Sequence, residues 1–296
     1  MLFRSGITGS AYRGFPEWSP ESSLALMDKL GIATTIFSFT SPGIWFGDRA
    51  QTRDLARRFN DYLAELKARH PTRFGGFGFL PLPDVDASLK ELERLVGVLR
   101  LEGVCLLTNV DDVYIGHPDF EPLYAELDRL KVATFIHPCY PPGKEARDYD
   151  IPRMLIDYPF ETTKVATNLI FNGVTSRYPD IPFILSHAGG TLPMLAHRLS
   201  IFDKLTKFRD NYPEGALAHI ARFYYDTALS GHAAPLTALR AFVPDTQILF
   251  GTDYPYIPAE TAVAETAGYD AFDGFGANKG LVERGNAERL WPRLAA

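Results

Sequence analysis

Cysteine is scarce: the 296-residue chain carries two, Cys105 and Cys139. Neither belongs to a CxxC spacing and both fall in strand-like surroundings, which argues against a disulfide framework or a zinc knuckle and for buried, reduced thiols. No apolar run approaches the roughly 18 residues a membrane span needs. The opening MLFRSGITGSAYRGFPEW also lacks the apolar stretch of a signal peptide. These absences point to a cytoplasmic protein. Positive charge is short as well: 30 Lys and Arg stand against 36 Asp and Glu, a net charge of -6. That balance argues against nucleic acid or another polyanion as partner. An internal repeat, a low-complexity tract and a Pro-, Gly- or Ser-rich linker are all missing, so residues 1–296 are expected to form one domain.

What is present is globular composition, 46% hydrophobic and 22% charged. The stretch WSPESSLALMDKLG reads as an amphipathic helix, with Ser19 as cap, Pro20 at the first helical position and Gly31 as terminator. A β-branched and aromatic run from Ile32 to Phe39 follows and reads as a buried strand. The alternation recurs to give seven strand–helix units, beginning at Ile32, Phe74, Gly103, Val132, Phe183, Phe223 and Gln247. This pattern predicts an α/β fold. A closed parallel barrel has eight such units, and the eighth would precede Trp18, where residues 1–17 show no strand pattern. A doubly wound open sheet could use the same units, but the first visible strand lacks the Gly-rich phosphate turn that advertises it.

Three strand tips carry groups suited to chemistry. The run within VATFIHP closes on His137, with Pro138 halting the strand; that within FILSHAGGTLP closes on His187, with Gly189 and Gly190 allowing a tight turn; that within QILFGTDYPY leads to Asp253. Strand tips of one sense converge on one face of a parallel barrel, so these distant residues can meet there. Two imidazoles and a carboxylate suit a borderline divalent ion such as zinc. His187 off the metal, as a general acid or base, is an equal reading of the same spacing. Asp226, in YYDTALS, is expected either to hold substrate, to orient an imidazole or to form a turn. Arg13, Arg49 and Asn109 fall near loops of the active face, where a carboxylate substrate needs a partner. His232 is expected in a solvent-exposed loop.

The combination FIHP, SHAGGTLP, FGTDYP and GNAERLW resembles the amidohydrolase superfamily, in its aminocarboxymuconate-semialdehyde decarboxylase branch. The resemblance runs from Trp18 onward, and as a group these motifs are specific. It implies a distorted TIM (β/α)8 barrel holding one divalent metal, zinc or else manganese, in a homodimer. His137 and Asp253 match metal ligands, His187 the histidine of proton transfer and, more loosely, Arg13 a substrate-carboxylate arginine. One departure stands out. The branch's first strand ends in a His-x-His pair, and no histidine precedes His70 here. Either the chain begins at an internal Met and lacks that strand, or it is a variant with a degraded site; both imply a weakened or absent metal. The expected activity is non-oxidative decarboxylation of a small aromatic or unsaturated carboxylic acid. The alternatives are hydrolysis of an ester, lactone or amide on the same site, and a metal-free, non-catalytic barrel.

Overall fold

The computed structural model describes residues 16–143 and 152–295. Its strands are β1 (Thr35–Phe37), β2 (Phe74–Phe79), β3 (Gly103–Leu107), β4 (Asn109–Val110), β5 (Val113–Tyr114), β6 (Thr134–His137), β7 (Phe183–Leu185), β8 (Tyr224–Asp226) and β9 (Ile248–Leu249). Seven of them form one sheet, ordered β1-β2-β3-β6-β7-β8-β9 and parallel throughout. Strands that follow one another in the chain lie side by side in the sheet, each reached through a helical crossover, and this curls the sheet into a distorted α/β barrel wall. These are the seven units expected from the sequence. The remaining pair, β4 and β5, is a small antiparallel hairpin in the loop after β3.

Local chemistry explains the elements. The first helix, Pro20–Leu30, starts where Ser19 Oγ accepts from Ser22 N at 3.1 Å and stops at Gly31, whose φ of 68° suits glycine. The helix Ala259–Ala271 has no counterpart in the sequence reading, because its Ala, Thr and Gly residues draw no apolar stripe. Leu92, Leu127, Leu169 and Leu236, one from each of four outer helices, are fully buried, each contributing about 2 kcal/mol. Inside the curl, Phe77, Phe135, Ile184 and Leu249 form a second apolar cluster, with the Phe77 and Phe135 rings stacked at 5.4 Å.

The closing GNAERLW motif seals the end of the curl opposite the strand tips. Asn286 is buried and donates to the carbonyls of Asp245 at 2.8 Å and Ile248 at 2.7 Å. Trp291 Nε1 donates to the Glu102 carbonyl at 2.7 Å, and its ring lies 5.7 Å from that of Phe77. The Glu102 carboxylate is buried but fully answered, by Lys67 at 2.6 Å, Arg293 at 2.5 Å and the Gly76 N–H at 2.7 Å.

His219 gives the fold a pH dependence. It is buried; its Nδ1 accepts from Arg222 at 2.7 Å and lies 2.8 Å from Thr175 Oγ1, an arrangement that fits the neutral ring. Burial and then the Arg222 charge depress its pKa to about 4. The unfolded chain therefore binds the proton more readily below about pH 6.5, and stability present above that pH is lost as pH falls toward 4. The full effect is about 3 kcal/mol. Thermal melting of wild type and His219→Gln between pH 7 and pH 4 should show a shallower acid slope in the variant. Equal slopes would remove His219 from the account.

Candidate active site

The sheet aims alternate side chains of each strand to its inner side, so Phe135 and His137, and Tyr224 and Asp226, share that face. His137 ends β6 opposite Leu107 of β3, and Asp226 ends β8 opposite Leu249 of β9. His137 Nδ1 donates to the Pro138 carbonyl at 2.8 Å, which leaves its Nε2 lone pair facing inward.

His187 follows β7 in a left-handed backbone, with φ 54°, and Ala188 shares it at 53°. Gly189 and Gly190 complete the turn. A Cβ on Gly190 would stand 2.1 Å from the Pro159 carbonyl oxygen, and one on Gly189 would stand 2.6 Å from the Tyr225 ring, so both glycines are dictated by close approach. Asp253 is left-handed as well, at φ 60°. Such backbone costs of order 1 kcal/mol or more per residue, and here it falls on two of the three groups that converge.

Those groups are His137, His187 and Asp253. His137 Nε2 lies 4.0 Å from Asp253 Oδ1, His187 Nε2 lies 3.8 Å from Asp253 Oδ2, and the imidazole centroids are 5.3 Å apart. Both histidines are buried and Asp253 is largely so. The three ligand atoms lie within 4.8 Å of one another. Ligands at about 2.1 Å from a shared ion stand up to about 4.2 Å apart, so small side-chain movements would fit this set to a divalent metal.

The electrostatics separate the two imidazoles. Burial, reinforced by His187, lowers the pKa of His137 to about 4, so it stays neutral as a ligand must. Burial also opposes charge on His187, but the adjacent Asp253 and then Asp226 override it and raise its pKa. Asp226 itself is pushed up to about 6, chiefly by burial. Its Oδ1 accepts from the His187 N–H at 2.7 Å and the Ala228 N–H at 3.1 Å. Asp226 thus grips the backbone of the His187 turn, where the sequence had suggested substrate, an imidazole or a turn.

A cavity of about 1010 Å³ reaches this cluster. It lies between the edge strands β1 and β9, and Ile36, Phe39, Phe77, Phe135 and Leu249 give it apolar walls. Arg13 lies outside the described residues. Arg49 is exposed at the start of the helix Arg49–Arg69, and Asn109 donates to the Tyr140 carbonyl at 2.9 Å, bracing the loop after β6. His232 is mostly exposed, 3.3 Å from Glu265. Sequence reasoning gave no sign of Tyr158, whose ring meets that of His137 edge-on at 6.1 Å. It opens the helix Asp157–Phe171, and no local pattern marks it.

Comparison with known proteins identifies the family. The Amidohydrolase family profile matches residues 9–293. Decarboxylase macB of Penicillium terrestre is 37% identical over 293 residues, covering 94% of this chain and 87% of that protein. The 6-methylsalicylic acid decarboxylase of Penicillium expansum is 35% identical over 94% of this chain and 88% of its own length. A dihydroxybenzoic acid decarboxylase from Polaromonas sp. JS666, solved with manganese and the inhibitor 2-nitroresorcinol, superposes with a TM-score of 0.81 at 28% identity, over 92% of this chain and 85% of that one. The chain belongs to the amidohydrolase family, as an enzyme of its decarboxylase branch.

Proposed function

We propose that the protein is a metal-dependent carboxy-lyase that removes carbon dioxide from a small aromatic acid, of the kind named for 6-methylsalicylic and dihydroxybenzoic acid decarboxylases. The observation that carries this reading is the buried convergence of His137, His187 and Asp253 on a cavity with apolar, aromatic walls. His137 and Asp253 would hold the divalent ion. Zinc or manganese suits a donor set of imidazole and carboxylate, and the ion's contribution is a Lewis acid that grips the substrate's oxygens. Decarboxylation breaks the bond between ring carbon and carboxylate carbon; carbon dioxide leaves, and the electron pair left on the ring carbon takes a proton. His187, whose affinity for a proton Asp253 raises, would deliver that proton. The apolar walls exclude water and favour departure of neutral carbon dioxide over retention of a charged carboxylate.

The test is an assay of the manganese- or zinc-loaded protein on 6-methylsalicylate and 2,6-dihydroxybenzoate for carbon dioxide, beside aryl esters and lactones for acid release. Carbon dioxide with a decarboxylated phenol is the expected product. Acid release from esters without carbon dioxide from any acid would replace the reading with hydrolysis.

A further inference from the structure

The tip of β8 carries two polar side chains that reach in opposite directions across the sheet. Asp226 is the last residue of β8, and Thr227 follows it, buried. Toward β7, Asp226 Oδ1 accepts from the His187 N–H at 2.7 Å and, within its own turn, from the Ala228 N–H at 3.1 Å. Toward β9, Thr227 Oγ1 accepts from the Gly251 N–H at 3.1 Å. Gly251 lies two residues before Asp253.

These bonds fall where the sheet's own ladder has ended. β7 stops at Leu185 and β9 at Leu249, so the backbone that carries His187 and Asp253 to the site has already left the strands. The register pairs Leu185 with Tyr225 and Asp226 with Leu249, which sets the β8 tip between the two departing turns. On the β9 side the fit is close: a Cβ on Gly251 would stand 3.1 Å from Asp226 Cβ. His187 at φ 54° and Asp253 at φ 60° are both left-handed, and backbone in that region persists where its surroundings hold it. Alternation along β8 turns Asp226 to the inner side and Thr227 to the outer, so Thr227 acts on the site through the Gly251 backbone.

We propose that Asp226 and Thr227 are positioning residues that form a crossbar at the tip of β8, fixing the proton-carrying His187 and the metal-holding Asp253 at their separation of 3.8 Å. This rests on the roles given to those two residues above and adds what keeps them in register. Each half acts on a different partner. Loss of the Asp226 acceptor releases the His187 turn and leaves the approach to Asp253 anchored; loss of the Thr227 hydroxyl does the reverse. A misplacement of about 1 Å at a reacting group is enough to lower a rate about 100-fold.

The experiment compares Asp226→Ala, Asp226→Asn, Thr227→Val and Thr227→Ser with wild type, by calorimetric titration of manganese and by carbon dioxide release from the two acids named above. Asp226→Ala should lower kcat about 100-fold at nearly unchanged KM and bind manganese as wild type does. Thr227→Val should weaken manganese binding about 10- to 100-fold. Asparagine offers the same two N–H groups a carbonyl oxygen and serine keeps the hydroxyl, so these two variants should recover most of each loss. Asp226→Ser and Thr227→Ala, which also lose the bonds, stand in for a variant that fails to fold. Asparagine as damaging as alanine would assign the part of Asp226 to its charge and overturn the crossbar, as would wild-type manganese affinity in Thr227→Val. If manganese binding responds as stated while wild type releases carbon dioxide from no acid, the crossbar stands and the carboxy-lyase reading falls.

Discussion

Asp253→Asn is expected to strip the protein of its divalent ion and, with it, of carboxy-lyase turnover. Asp253 is the single anion of the cluster, 4.0 Å from one imidazole and 3.8 Å from the other. The amide loses the charge that attracts a cation and can turn a donor toward it. Asparagine is also among the residues that best tolerate the left-handed φ of 60° at this position, so the backbone should survive the exchange. Changes to groups that merely orient metal ligands weaken binding about 10- to 100-fold, and loss of a ligating carboxylate should exceed that. Without a Lewis acid worth several kcal/mol, turnover should fall by at least about a thousandfold. Metal content by elemental analysis, read beside carbon dioxide release, checks both halves. A variant that keeps stoichiometric metal and full activity would remove Asp253 from the site.

How far the sequence announced this site depends on how each residue is held. His137 is legible because a β-branched and aromatic run ends on it and Pro138 stops the strand; those local signals survive folding, and β6 closes at His137. Asp253 is legible for a similar reason, although β9 itself shrinks to Ile248–Leu249, with residues 250–253 continuing as loop. The glycines after His187 announce a turn, and the structure adds why they must be glycine: Pro159 and Tyr225 press against them from elements distant in sequence. Such contacts leave no trace in a local pattern. Asp226 was visible as a strand-tip acid, but its hold on the His187 N–H depends on β7 and β8 being neighbours. The two-residue strands of the β4–β5 hairpin are too short for alternation to register.

Left-handed backbone at His187 and Asp253 joins those observations to the chemistry. Each residue is turned away from its strand direction, His187 by a turn that Asp226 grips and Asp253 by one closed through the Tyr256 N–H. The fold therefore spends local strain to bring an imidazole and a carboxylate to within 3.8 Å in a buried site, where their interaction is strongest. His137 needs no such device, because it sits on the strand itself and is oriented through the Pro138 carbonyl. Between the two imidazoles the contrast fits the proposed roles, His137 as a rigid ligand and His187 as the proton carrier.

That division of labour makes the His187 variants the sharpest test of mechanism. His187→Ala should reduce carbon dioxide release by about 10²- to 10⁴-fold, the usual contribution of a positioned acid or base. Metal content should stay near that of wild type, because His137 and Asp253 are the proposed ligands. Alanine is poorly suited to a φ of 54°, so His187→Asn belongs beside it: asparagine accepts that backbone and lacks a group able to carry the proton near neutral pH. Both variants should lose turnover alike if the proton is what is missing. Should either lose metal in proportion to activity while melting like the wild type, His187 would be a third ligand, and the proton would have to come from another group. Retained turnover in both would take His187 out of the reaction altogether.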